Sequence, residues 1–203
     1  MPTLTLLTTT TAPDDLGGAE ALGATLRELR TRAGITQREL AARDGLHRNY
    51  LGALERGTVA NPGLATTTRL ARSLDVSVAV LAESFVRPAP AGRATARHSG
   101  APAPPRAPGA PEPGAPALGR ALRLLRRRRE LTRAALAEAT GMHKNYIGSL
   151  EEGAIASPGL LTLTRLVHGL HRDAARDADA LASSVGALAC IFAGEPVLLR
   201  VAA

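Results

Sequence analysis

The sequence predicts an all-α fold: two small domains of four to five helices each, joined by a Pro/Ala-rich linker. Three observations carry this. Residues 22–74 and 118–170 align without a gap at a fixed offset of 96, with about half of the positions identical. Such an internal repeat sets the architecture before any local reading does. Within each repeat the apolar residues recur at helical spacing, as in Leu22, Leu26 and Leu29 at i, i+4 and i+7. Between the repeats, residues 86–117 are dominated by Pro, Ala and Gly and have almost nothing to bury, the composition of a linker and not of a third domain.

The 203 residues therefore divide into a Thr-rich segment, 1–17, expected to be disordered; a first domain, 18–85; the linker, 86–117; a second domain, 118–172; and a tail, 173–203. Each domain sits near the lower size limit for an independent core. As a coil the linker would span roughly 30 Å, and fully extended about 95 Å. Either reach lets two domains stand one turn of DNA apart, about 34 Å.

In the first repeat, helix one is expected to end near Gly34. Thr36-Gln37-Arg38-Glu39 reads as a capping box that opens helix two, and Gly45 supplies the left-handed residue that closes it. Helix three is expected from His47 to Glu55, closed by Gly57. Asn61-Pro62 reads as an N-cap with Pro at the first position of helix four, and 77–85 as a fifth helix. The second repeat keeps these landmarks but has Ala135 where Glu39 stands, losing half of the capping box. In the tail, 172–192 reads as one amphipathic helix and 196–203 as a short strand.

Net charge is +7, and each repeat holds nine Lys/Arg against four Asp/Glu. Basic charge on folded repeats, not on a tail, points to a polyanion partner. Cys190 is the only cysteine, so neither an internal disulfide nor a thiolate metal site is available; it reads as a small packing residue. The N-terminus lacks a basic n-region and a continuous apolar stretch, and no run could span a bilayer. A cytoplasmic protein, nucleoid-associated when bound to DNA, with no membrane partner is expected. No cofactor is expected either. The histidines lack acidic or cysteine partners at ligand spacing, and the pair His168 and His171 reads as surface.

Two short helices joined by a glycine turn, with a compact core behind them, form a helix-turn-helix. The stretch TQRELAARDGLHRNYLGALERGTVANPGL, residues 36–64, resembles the Cro/CI or XRE-type helix-turn-helix family of bacterial and phage regulators. Thr-Gln opening helix two, the turn Gly, Tyr-Leu/Ile, Leu-Glu-x-Gly and the following Pro all stand at family spacing. GLHRNYLGALERG at 45–57 is answered by GMHKNYIGSLEEG at 141–153. The resemblance implies that helix three lies in the major groove and reads bases with His47, Arg48, Asn49 and Ala53, and in the second repeat with His143, Lys144, Asn145 and Ser149. The chemistry agrees: Arg can fork to guanine, and Asn can pair with adenine. Either histidine could instead cap helix three.

The resemblance further implies phosphate contacts from Gln37 and Arg133 at the start of helix two, and from Tyr50, Tyr146 and Asn61. It gives Glu55 and Glu151 a structural role, pairing with Arg30 and Arg126 on helix one. Two departures stand out. The loops after helix three, Thr58–Asn61 and Ala154–Ser157, lack the Lys or Arg usual in the family, and Glu152 replaces Arg56. Fewer phosphate contacts weaken binding and flatten its salt dependence.

The first functional expectation is a sequence-specific double-stranded DNA-binding transcriptional regulator with two recognition helices on one chain. The half-sites, inverted or direct, stay open. The second is a protein-interaction regulator, antitoxin-like or phage-related, whose second repeat or C-terminal tail binds a partner protein or mediates self-association. An enzyme is not expected, because no nucleophile–base pair, metal cluster or phosphate loop is visible. RNA is disfavoured, since two Tyr, two Phe and no Trp make no stacking platform.

Overall fold

In a computed structural model, which describes residues 17–86, 114–171 and 178–197, the described residues form helices, their connecting turns and one isolated β-bridge. The first repeat supplies α1 (Gly17–Arg32), α2 (Gln37–Arg43), α3 (Arg48–Glu55), α4 (Leu64–Ser73) and α5 (Val78–Val86); the second supplies α6 (Gly114–Arg128), α7 (Arg133–Thr140), α8 (Lys144–Glu151), α9 (Leu160–Leu170) and α10 (Ala178–Ala193). None of these helices is long and apolar enough to cross a membrane.

Local chemistry sets the boundaries. The Thr36 hydroxyl accepts from Glu39 N–H while the Glu39 carboxylate accepts from Thr36 N–H, so the capping box is complete. In α7 only the first half survives, Thr132 capping Ala135 N–H. Hydrogen bonds from Thr36, first through its backbone, hold the Glu39 carboxyl below the usual carboxylate range. Helices α1 and α3 cross so closely that a Cβ at Gly23 would lie 2.5 Å from the Leu54 carbonyl oxygen. Gly119 meets Leu150 at the same distance between α6 and α8. Only glycine permits that crossing, and it occupies the same place in both repeats.

Four expectations change. Helix α4 starts at Leu64, two residues after Pro62, with Gly63 as its N-cap and no cap from its own side chains; Asn61 is used elsewhere, as described below. Helix α6 begins at Gly114 and so takes four residues from the segment expected as linker, which is possible because Pro116 falls in its first turn, where a missing N–H costs nothing. His171 is half-buried rather than on the surface. Its ring packs within 3.4 Å of the Ser184 hydroxyl, and burial first, then Arg129, lowers its pKa. The proposed amphipathic tail helix is α10, but it is buried on most sides. Val185, Leu188, Ala189, Cys190, Phe192 and Ala193 are all covered. Burial pushes the Cys190 thiol up to about 11. Residues 172–177 and the proposed strand beyond Val197 lie outside the described residues, as do the segment 1–16 and most of the linker.

The repeats share one plan. Helix α5 packs on α1 and α4, and α10 packs on α6 and α9. The most extensive helix contact among the described residues is α5 against α10. The apolar side chains of the tail therefore complete the second domain and join it to the first. At the far end of α10, Glu195 accepts from the Ser77 hydroxyl at 2.7 Å and from Val78 N–H at 3.3 Å, capping α5 from the other repeat.

Candidate nucleic-acid interface

The first turns of α3 and α8 present matching polar surfaces. Arg48, Asn49, Lys144 and Asn145 are exposed, and no described residue binds their side-chain nitrogens. His47 and His143 are N-caps, each ring Nδ1 accepting the N–H of Asn49 or Asn145 at 3.2 Å. Accepting at Nδ1 leaves Nε2–H as the ring's donor. Capping and a base contact are thus compatible in one histidine. Ala53 and Ser149, one turn further on, are half-buried. Arg133, Lys144, Asn145, Ser149 and Glu152 line a single open depression in the second repeat. Tyr50 is half-buried and Tyr146 is 37% exposed.

Behind each surface lies a buried carboxylate. Arg30 Nε and Nη2 donate to both oxygens of Glu55, at 2.6 and 3.0 Å, and Nη1 donates to the Ile35 carbonyl at 2.8 Å. Arg126 repeats this with Glu151, at 2.5 and 3.1 Å, and with the Leu131 carbonyl at 2.7 Å. Burial alone would raise both carboxyls, yet the hydrogen bonds they accept hold them below the usual range, from Arg30 and Gln37 for Glu55 and from Arg126 and Arg133 for Glu151. Each bidentate pair ties helix one to helix three at the glycine crossing and so fixes the angle of the reading surface.

The helix-two residues expected at phosphates are drawn into the same networks. Gln37 Nε2 donates to Glu55 at 2.8 Å. Arg133 donates to Glu151 at 2.9 Å and reaches Glu152 at 3.5 Å. Both repeats lay a guanidinium over the same helical glycine, but from opposite directions. Arg56, at the end of α3, covers Gly52, while Arg133, at the start of α7, covers Gly148. Among the described residues Arg56 has no acidic partner, whereas Arg133 is paired with Glu151, which it shares with Arg126, and with Glu152.

Asn61, also expected at a phosphate, has its side-chain oxygen taken by Leu161 N–H at 3.1 Å, in the first turn of α9. Ser157, its equivalent, accepts from Ala65 N–H at 3.1 Å in the first turn of α4. Each repeat thus caps the other's fourth helix. Between these caps Leu64 N–H donates to the Pro158 carbonyl at 2.9 Å, Leu160 N–H donates to the Pro62 carbonyl at 3.0 Å, and Gly63 bridges Gly159 antiparallel. The glycines, Ser157 and the capping role of Asn61 escape a reading of single elements. The signal that marks them is the triplet Pro-Gly-Leu, identical at 62–64 and 158–160.

Two helix-turn-helix units, each with an exposed polar first turn on its second helix, define a class of DNA-binding domains. A helix-turn-helix family model matches residues 26–81, and a helix-turn-helix domain model matches residues 117–183. Two relatives in Sinorhizobium fredii (strain NBRC 101917 / NGR234) are each named as an uncharacterized HTH-type transcriptional regulator. One, y4dL, is 42% identical over 64 residues, covering 32% of this chain and 32% of the relative. The other, y4dJ, is 43% identical over 56 residues, covering 28% of this chain and 71% of the relative. The chain spans about a third of the first relative's length and nearly three quarters of the second's. It belongs to the XRE-like helix-turn-helix family, with the domain in tandem.

Proposed function

We propose that the chain is a sequence-specific double-stranded DNA-binding transcriptional regulator that reads base edges with both recognition helices, α3 and α8. The observation that carries this is the repeated pair Arg48-Asn49 and Lys144-Asn145. These donors are exposed, unpaired among the described residues, and stand on the first turn of helices whose orientation is locked by a buried ion pair. The preorganised helix that carries them need not be reoriented on binding, so only the side chains themselves are ordered there. Arg48 and Asn49 suit guanine and adenine, and each good pair discriminates by about 1–3 kcal/mol.

Binding measured by fluorescence anisotropy on a preferred duplex and on a scrambled one tests the reading. Arg48→Ala with Asn49→Ala, and separately Lys144→Ala with Asn145→Ala, should each lower affinity for the preferred duplex at least tenfold and change affinity for the scrambled one little. Equal losses on both duplexes would mean that these residues hold phosphates and read no bases. Capture of a partner protein by the tail has less support, since the apolar side chains of α10 are already covered by α5, α6 and α9.

A further inference from the structure

Gly63 and Gly159 are the same position of the repeat, 96 residues apart, and they pair with each other antiparallel. A position that pairs antiparallel with its own equivalent has a twofold axis through the middle of the pair. The neighbouring contacts obey the same axis. The bond from Leu64 to Pro158 is answered by the bond from Leu160 to Pro62. The cap from Ser157 to Ala65 is answered by the cap from Asn61 to Leu161. The packing of α5 against α10 joins the two elements that hold equivalent places in their domains. The approach is close at two positions: a Cβ on Gly186 would lie 3.2 Å from the Ala79 Cβ, and one on Gly159 would overlap the Asn61 side chain as it is placed.

The uncharged loops Thr58–Asn61 and Ala154–Ser157 lead into this seam, and their last residues, Asn61 and Ser157, supply the crossed caps.

A twofold seam orients two recognition helices as an inverted pair, because the local dyads of duplex DNA relate successive major-groove half-sites in the same sense. A direct repeat relates its halves by translation, which this seam does not provide. The halves are also chemically unequal. The first surface carries Arg48, Ala53 and an Arg56 with no acidic partner among the described residues; the second carries Lys144, Ser149 and an Arg133 held by Glu151 and Glu152. Resting on the regulator reading above, we infer that one chain is a covalent pseudo-dimer that binds, without a second copy, an inverted pair of unequal half-sites about one helical turn apart, and not a direct pair.

The test uses the full chain and duplexes carrying the two preferred half-sites, either one alone, both as a direct pair, or both as an inverted pair at equal spacing. Affinity is read by fluorescence anisotropy and stoichiometry by sedimentation velocity. The inverted duplex should bind one chain, about 100-fold or more tightly than the other two. Gly186→Leu, which wedges α10 from α5, should bring the inverted and direct duplexes to similar affinity, because the linker alone then tethers the domains, while keeping half-site preference. Should that variant fail to fold, Asn61→Ala with Ser157→Ala removes only the crossed caps and should narrow the gap between inverted and direct duplexes. Equal affinity for direct and inverted duplexes, or two chains on the inverted one, would overturn the inference and leave the regulator reading standing. Binding all three no better than random DNA would overturn both.

Discussion

At the scale of single residues, Glu55 and Glu151 are the positions on which each reading surface depends. Removing one partner of a buried pair leaves the other charge uncompensated and costs about 3–5 kcal/mol. Glu151→Ala should therefore lower the unfolding free energy by about 3 kcal/mol in urea titration, and Glu55→Ala by a similar amount. Both carboxyls have folded pKa values below the unfolded one. Their stabilisation is therefore full above the unfolded carboxylate value, about 4.3, and is lost as pH falls through the folded values. The denaturation midpoint should hold between pH 6 and 7 and drop below about pH 4.5, and Glu151→Ala should flatten that fall. Asp44, which burial raises despite the Ser73 hydroxyl, works in the opposite direction. The Arg30–Glu55 and Arg126–Glu151 pairs are legible in the sequence because they stand at fixed places in a repeated motif. The capture of Gln37 by Glu55 is less so, because nothing in a linear reading shows that a helix-two side chain comes within 2.8 Å of a helix-three carboxylate.

At the scale of elements, the two repeats form a natural comparison series. The turn after α1 uses Gly34 at φ 68°, whereas the matching turn after α6 uses Glu130 at φ 55°. A side chain in that left-handed region costs about 1 kcal/mol or more, offset in part by the greater unfolded-state freedom of glycine. Glu130→Gly should then stabilise the second repeat by about 0.5–1 kcal/mol, read as a rise in thermal midpoint. Ala135→Glu should restore the capping box of α7 and add a similar increment. The helices α1 to α5 and α7 to α9 follow from apolar spacing and capping residues. The start of α4 does not, because its cap comes from Ser157, 92 residues away. Local rules assign Asn61-Pro62 to the helix that follows it, while the fold gives Asn61 to α9. Helix α10 is misjudged for a related reason. Burial on several sides removes the one-face pattern by which a helix is recognised as amphipathic.

At the scale of the whole molecule, the chain is organised about the seam. Truncation before α10 should not leave DNA binding intact, since it removes covered apolar side chains from the second domain and the cap that Glu195 places on α5. Such a truncation should lower the thermal stability of both repeats together, and independent melting of an unaffected first repeat would count against that coupling. Two helix-turn-helix domains were legible from the repeat. Their joint was not, because it lies in uncharged loops that read singly as weakened DNA contacts. Selection of bound sites from a random duplex library by the full chain asks directly whether both surfaces read bases. Two related half-sites about one turn apart should be enriched, each lost selectively when Arg48-Asn49 or Lys144-Asn145 is replaced by alanine. No enrichment over random sequence, or a motif unchanged by both replacements, would refute base reading by α3 and α8.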